Sequence, residues 1–220
     1  MNQNALPDSA SVFIQSHSIA LRMWHWLTFL VISASILTVI LNSTLLSPRD
    51  NVLMVQEQLQ RKGITATDDQ AFAVSHEYEE KMWDVHKYLG FSLAALLLAR
   101  VIIEFFQPEE EKLKNRIKKA LTSPKENPEK LSEYRHYLLV RRIYLAFFVV
   151  LFAVVFSGLT IAFGRSMGIP RDIVHSIKET HAVLQYIIYA FIIIHLAGVI
   201  KAETQAAKGI VSGMIHGNKN

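Results

Sequence analysis

The chain has 220 residues, of which 51% are hydrophobic, 10% aromatic and 19% charged, with a mean hydropathy of +0.24. This excludes a disordered chain, and a charged fraction below the roughly 25% of soluble domains points to membrane segments. It holds nine histidines and no cysteine, so disulfides, cysteine zinc sites, iron–sulfur clusters, thiolate-ligated haem and covalent c-type haem are all excluded; the formal charge of +4 averages regions of opposite sign.

Four segments have the roughly 20 apolar residues that a spanning helix needs, at about 23–42, 85–106, 143–163 and 181–200. The first is too long for the apolar core of a signal peptide and no small-residue cleavage pattern follows it, so it reads as a retained helix. Residues 43–85 carry four lysines or arginines against eight acids, whereas 107–142 carry ten against six. Cytoplasmic loops hold the basic excess, which predicts an outer loop at 43–84, a cytoplasmic loop at 107–142, a short outer loop at 164–180 and both termini in the cytoplasm. The fold expected is an all-α membrane protein, a single four-helix transmembrane bundle over 1–220.

Within the outer loop, Asp68 to Asp84 reads as a helix capped by Thr67 or Asp68 and continuous with the second span. On the inner side, Glu109 to Leu121 has apolar residues at Leu113, Ile117 and Ala120 before breaks at Pro124 and Pro128; an interfacial helix and a solvated linker fit it equally.

Histidine inside a span is costly and marks a site by default. Four qualify: His25, His86, His181 and His195. Fourteen residues separate His181 from His195, which is about 40° short of four turns, so both rings leave one face about 21 Å apart along the axis. His25, three residues inside Arg22, matches the depth of His195, six residues before Lys201; His86 opens the second span level with His181. Two facing histidines at one depth form the axial pair of a low-spin haem, whereas zinc needs three or four ligands together. The pairs predicted are His25 with His195 around an inner haem iron and His86 with His181 around an outer one, which makes two non-covalent haems b. Interior histidines hydrogen-bonded to neighbouring helices are the plainer explanation for any one ring, but not for four that pair by depth.

Arg100 lies fourteen residues after His86 and leaves nearly the same face, near the inner pair, where it is a candidate partner for a haem propionate. Its alternative is an i,i+4 pair with Glu104 in the weaker order. Gly90 and Gly198, close to His86 and His195, remove side chains beside the ligands and favour close approach of a macrocycle. His76, His136 and His175 read as solvated residues, with His76 or His175 placed for a proton-relay role, and His17 and His216 lie in terminal segments.

Arg22-Met23-Trp24-His25-Trp26 resembles the R-x-x-H-W opening of the bacterial cytochrome b561 and nickel–iron hydrogenase b-type cytochrome group. The run from His86 through Gly90 to Arg100 is similar to that group's second helix, Ile177 to His181 with His195 to its fourth, and Met214 to Gly217 to its closing M-x-x-G element. The resemblance covers essentially the whole membrane core. It implies a four-helix cytochrome of the bacterial inner membrane with two haems b on His25, His86, His181 and His195, exchanging electrons with the quinone pool. The chain departs from the group in its long outer loop and in Arg141, Arg142 and Tyr144, where histidines often enter the third helix.

The function expected is electron carriage across the membrane, with each transfer coupled to the potential by roughly 2.3 kcal/mol per charge per 100 mV. The partners expected are quinone or quinol, membrane lipid, a redox protein at the outer face and a second copy of the chain as a homodimer, with no nucleic acid. Two other readings stand beside it: the cytochrome b anchor subunit of a multi-subunit hydrogenase, formate dehydrogenase or similar reductase, and, more remotely, a histidine-lined transporter without haem.

Overall fold

In hydrocarbon no water satisfies backbone N–H and C=O groups, so a long apolar segment has to close its hydrogen bonds internally. The computed structural model of the chain describes residues 18–107, 131–206 and 209–217, with isolated positions between 109 and 118. Among the described residues there are helices and turns and no strand. The helices are α1 (Ile19–Ser43), α2 (Pro48–Gln60), α3 (Asp68–Phe106), α4 (Leu131–Phe163) and α5 (Arg171–Lys201), followed by a π-helical turn (Ala202–Ala206) and the short α6 (Ile210–His216). Helices α1, α3, α4 and α5 are each long and apolar enough to cross a membrane.

Three of these exceed the span they contain. At about 1.5 Å per residue the 39 residues of α3 cover about 58 Å, far more than a hydrocarbon core of about 30 Å. Its start is set by a reciprocal capping box, in which Thr67 Oγ1 accepts from the Gln70 amide at 3.3 Å and Gln70 Oε1 accepts from the Thr67 amide at 3.0 Å. Thr67, of the two expected candidates, is therefore the cap.

The helices run beyond the spans expected from hydropathy. Residues 171–180 are helical, so His175 stands on α5 and the non-helical connection before it is 164–170. Likewise α4 begins at Leu131, inside the stretch expected as a cytoplasmic loop. The reason is the same in both: polar residues such as Glu, Lys and Arg continue a helix as well as apolar ones do, and hydropathy marks the bilayer rather than the helix end. The connection between α1 and α3 holds an unexpected helix, α2, with Pro48 in its first turn, where a missing N–H costs nothing, and Asp50 beside it. Most of the expected interfacial segment at 109–121 lies outside the described residues.

The chain forms two compact units, residues 27–96 and residues 1–26 with 97–220. In the first, α1 and α3 meet through polar contacts, including Asn42 Nδ2 donating to the Glu79 carbonyl at 3.5 Å. There α2 is tied at both flanks: Asn51 Nδ2 donates to the Leu45 carbonyl at 2.8 Å, and Gln56 Nε2 to Asp68 Oδ1 at 2.8 Å. In the second unit α4 packs along α5, and Trp24 from the start of α1 stacks on Phe148 of α4 at 5.8 Å between ring centres.

Side-chain placement inverts that of a soluble domain. Thr28, Thr38, Asn42, Ser75, Arg100 and Ser157 are buried, while Phe105, Phe152, Phe156 and Ile193 are each more than 60% exposed. In water such apolar surface would be a severe liability; facing lipid it costs nothing.

Gly164, in the tight exit from α4, tests this packing. A Cβ there would lie 2.6 Å from the Thr160 carbonyl oxygen and 2.8 Å from Val174 Cγ2. The first contact is with backbone and cannot be relieved by a rotamer change. Gly164→Ala is expected to destabilise the protein in detergent by about 1–3 kcal/mol, read as a lower thermal midpoint; an unchanged midpoint would contradict the tight α4–α5 exit.

Candidate functional site

Two of the four candidate histidines come together. The rings of His25, on the first turns of α1, and His195, near the end of α5, have centres 6.2 Å apart with planes inclined by 60°. Each ring is braced: Trp26 meets His25 edge-on at 5.6 Å, and Phe191, one turn before His195, stacks on it at 5.8 Å with an interplanar angle of 10°. Phe191 is itself stacked on Phe147 of α4 at 4.0 Å. Aromatic stacks of this kind limit the rotamers open to an imidazole without competing for its nitrogens.

The C-terminal residues complete this end. Trp26 Nε1 donates to the Met214 carbonyl and Arg22 Nη1 to the Ile215 carbonyl, both at 3.1 Å. Gly217, at φ +77°, lies so close to the Arg22 guanidinium that a Cβ would meet it at 3.1 Å. The M-x-x-G element therefore serves as a carbonyl platform for the Arg and Trp that flank His25, and its glycine supplies both the backbone conformation and the clearance.

Arg100 lies in the same unit, 9% exposed. Its guanidinium sits 5.9 Å from the centre of the Trp24 ring and 5.8 Å from that of Phe148. Nε donates to Tyr144 Oη at 3.4 Å and Nη2 to Glu104 Oε2 at 2.9 Å. The i,i+4 pair with Glu104, weak on an exposed helix, gains from burial here. Tyr144, on α4, is thus a partner of this cation. A cavity of about 370 Å³ adjoins the cluster, walled by Val101, Phe105 and Leu145 as well as Arg100 and Tyr144.

His86 and His181 belong to different units and are described separately. His86 Nδ1 lies 2.8 Å from Thr38 Oγ1 and 3.3 Å from Ser35 Oγ, both on α1. Trp83, one turn earlier on α3, meets the His86 ring edge-on at 5.5 Å and is held by its own bond to Glu79 Oε1 at 3.2 Å. In the other unit His181 Nδ1 lies 2.8 Å from Ser157 Oγ on α4. The next residue, Gly158, presents bare backbone to the ring, and a Cβ there would stand 3.3 Å from His181 Cε1.

Gly90 and Gly198 differ from Gly158, since a Cβ at either meets nothing within 4 Å. The polypeptide itself thus gives neither a packing reason. His76 pairs with Glu79 at 3.0 Å and His175 faces Glu179 at 3.6 Å, both well exposed. Among the described residues no group of three or more His, Cys, Asp or Glu side chains is placed to share a metal ion, whereas axial haem ligation needs only two.

Ser35, Thr38, Ser157 and Gly158 escape sequence reading, because small and hydroxyl residues are ordinary in membrane helices. The one available signal was placement: Thr38 and Ser157 stand toward the ends of their spans, at the level expected for His86 and His181.

A family model described as prokaryotic cytochrome b561 matches residues 16–217. No curated protein and no solved structure gave a match. The match takes in α1, α3, α4 and α5, all four candidate histidines and the C-terminal platform: the chain belongs to the prokaryotic cytochrome b561 family.

Proposed function

We propose that this b-type cytochrome of the inner membrane holds two haems b and carries electrons between them across the bilayer, exchanging them with quinone. Its termini lie in the cytoplasm on this reading, from the basic excess at 107–142. His25 and His195 would hold the inner haem, and His86 and His181 the outer one.

The observation that carries the reading is the 6.2 Å between the His25 and His195 ring centres. Two imidazoles bound to one metal at about 2.0 Å each have ring centres roughly 6 Å apart, so the rings stand at the separation that two-sided ligation requires. Their planes are inclined by 60°, so they are not stacked face to face, and Trp26 and Phe191 brace them from the sides. The pairing of His86 with His181 rests on their equal depth in the sequence and on a shared feature, a hydroxyl at Nδ1 of each ring.

Haem, when bound, supplies reversible one-electron chemistry at its iron. The chain's own part is to orient four imidazoles, exclude water and place charge. Arg100 offers a buried cation near the inner pair, and we assign it to a haem propionate alongside Glu104. Gly90, with open space where a side chain would stand, is assigned to macrocycle packing. The adjoining cavity, apolar and bordered by lipid-facing Phe105, suits exchange of a hydrophobic redox carrier at that end.

The test is ligand by ligand. His25→Ala and His195→Ala are each expected to remove one low-spin component from the reduced-minus-oxidised spectrum, the same one in both, while His86→Ala and His181→Ala remove the other. Loss of one component in His86→Ala and of the opposite one in His181→Ala would refute the depth pairing. Gly158→Ala, which pushes on the His181 ring by a few tenths of an ångström, is expected to lower occupancy of the outer haem alone, measured as haem per chain. Equal loss from both sites would contradict that assignment.

A further inference from the structure

In each unit a histidine of the outer pair meets a hydroxyl whose proton is already committed. Ser157 Oγ donates to the carbonyls of Ala153 and Val154, at 2.7 and 3.0 Å. Thr38 Oγ1 donates to the Ser35 carbonyl at 2.6 Å. A hydroxyl has one proton and two lone pairs. With the proton on a backbone carbonyl, the oxygen can only accept at its other contact, 2.8 Å from His181 Nδ1 in one case and 2.8 Å from His86 Nδ1 in the other. In that arrangement each Nδ1 carries the ring proton and Nε2 the lone pair of the neutral imidazole.

We propose that Ser157 and Thr38 are positioning residues that select the Nε2-ligating tautomer of His181 and His86 and lower the reduction potential of the haem these histidines hold. The proposal rests on the di-haem reading above. It goes beyond that reading by giving two residues outside the ligand set a role in setting the potential.

The chemistry follows from charge. An acceptor at Nδ1–H draws the proton outward and leaves the imidazole more electron-rich, so it donates more strongly to iron and favours the ferric state. In a span no water replaces the lost acceptor. Both hydroxyl residues are buried, with Ser157 at 8% and Thr38 at 4% exposure. Geometry also holds: back-bonding to the preceding turn fixes each hydroxyl rotor, and Gly158 lets the His181 ring lie close to the α4 backbone beside Ser157. Ser35 Oγ, at 3.3 Å, gives His86 a second and longer contact, so the effect of Thr38 should be the smaller of the two.

Full-length protein, purified in mild detergent with both haems, would be titrated potentiometrically while the low-spin bands are followed. The variants are Thr38→Val, which keeps the shape and removes the hydroxyl, Ser157→Ala, and the hydroxyl-retaining Thr38→Ser and Ser157→Thr. The expected result is an upward shift of the component that His181→Ala abolishes, roughly fivefold in its reduced-to-oxidised ratio at fixed potential, with the other component unmoved. Thr38→Ser should titrate as wild type and Ser157→Thr should restore the lower potential. Loss of the outer haem in Ser157→Ala with its return in Ser157→Thr would also support the role. Two components with wild-type potentials in both Thr38→Val and Ser157→Ala would overturn the inference and leave the di-haem reading intact. Equal disturbance by the hydroxyl-retaining variants would overturn it too, by showing that size rather than hydrogen bonding matters. A wild-type protein without low-spin bands would overturn the di-haem reading, and this inference with it.

Discussion

A neutral imidazole buried in hydrocarbon has one nitrogen that must donate and one that must accept, with no water to serve either. The four span histidines, on α1, α3 and α5, meet that requirement in two ways. At the His86 and His181 positions a back-bonded hydroxyl stands 2.8 Å from Nδ1, and on our proposal it accepts from Nδ1–H and leaves the ring's lone pair on Nε2. At the other end two rings stand 6.2 Å apart, each held by an aromatic neighbour rather than stacked on the other. An apolar side chain in any of these places would be cheaper for the fold, so the cost is evidence of purpose.

The packing around those rings follows the same constraint. Apolar surface faces outward and polar side chains turn inward, so the interior can carry hydroxyls, an amide and a guanidinium that lipid would not tolerate. Arg100 shows the scale of the problem: a cation at 9% exposure is held by a carboxylate, a phenol and two ring faces at once. The C-terminal carbonyls that bind Arg22 and Trp26 do similar work at the helix start, where orphan donors would otherwise loosen the turn bearing His25.

Spans, the all-helical class and the family were legible in the sequence, because each depends on long-range composition or on motif residues. So was the encounter of His25 with His195, since depth within a span is a matter of counting. Helix ends were not. Hydropathy changes at the bilayer surface, whereas α4 and α5 continue well past it through residues that favour helix regardless of polarity. Helix α2 was missed because thirteen residues of mixed polarity after Ser47-Pro48 give no periodic signal strong enough to outweigh a loop reading. The hydroxyls at 38 and 157 were invisible for a different reason: their role lies in a contact between helices, and serine or threonine in a span is common without one. The Tyr144 partner of Arg100 is not readable from helix spacing, because it stands on another helix.

The central claim is that one chain of this length, without a cysteine, carries two non-covalent haems. Haem b measured by extraction against protein concentration, on detergent-purified material from haem-replete cells, tests it most directly. Close to two haems b per chain are expected, with low-spin bands on reduction; a ratio of one or below in such material would contradict the di-haem assignment.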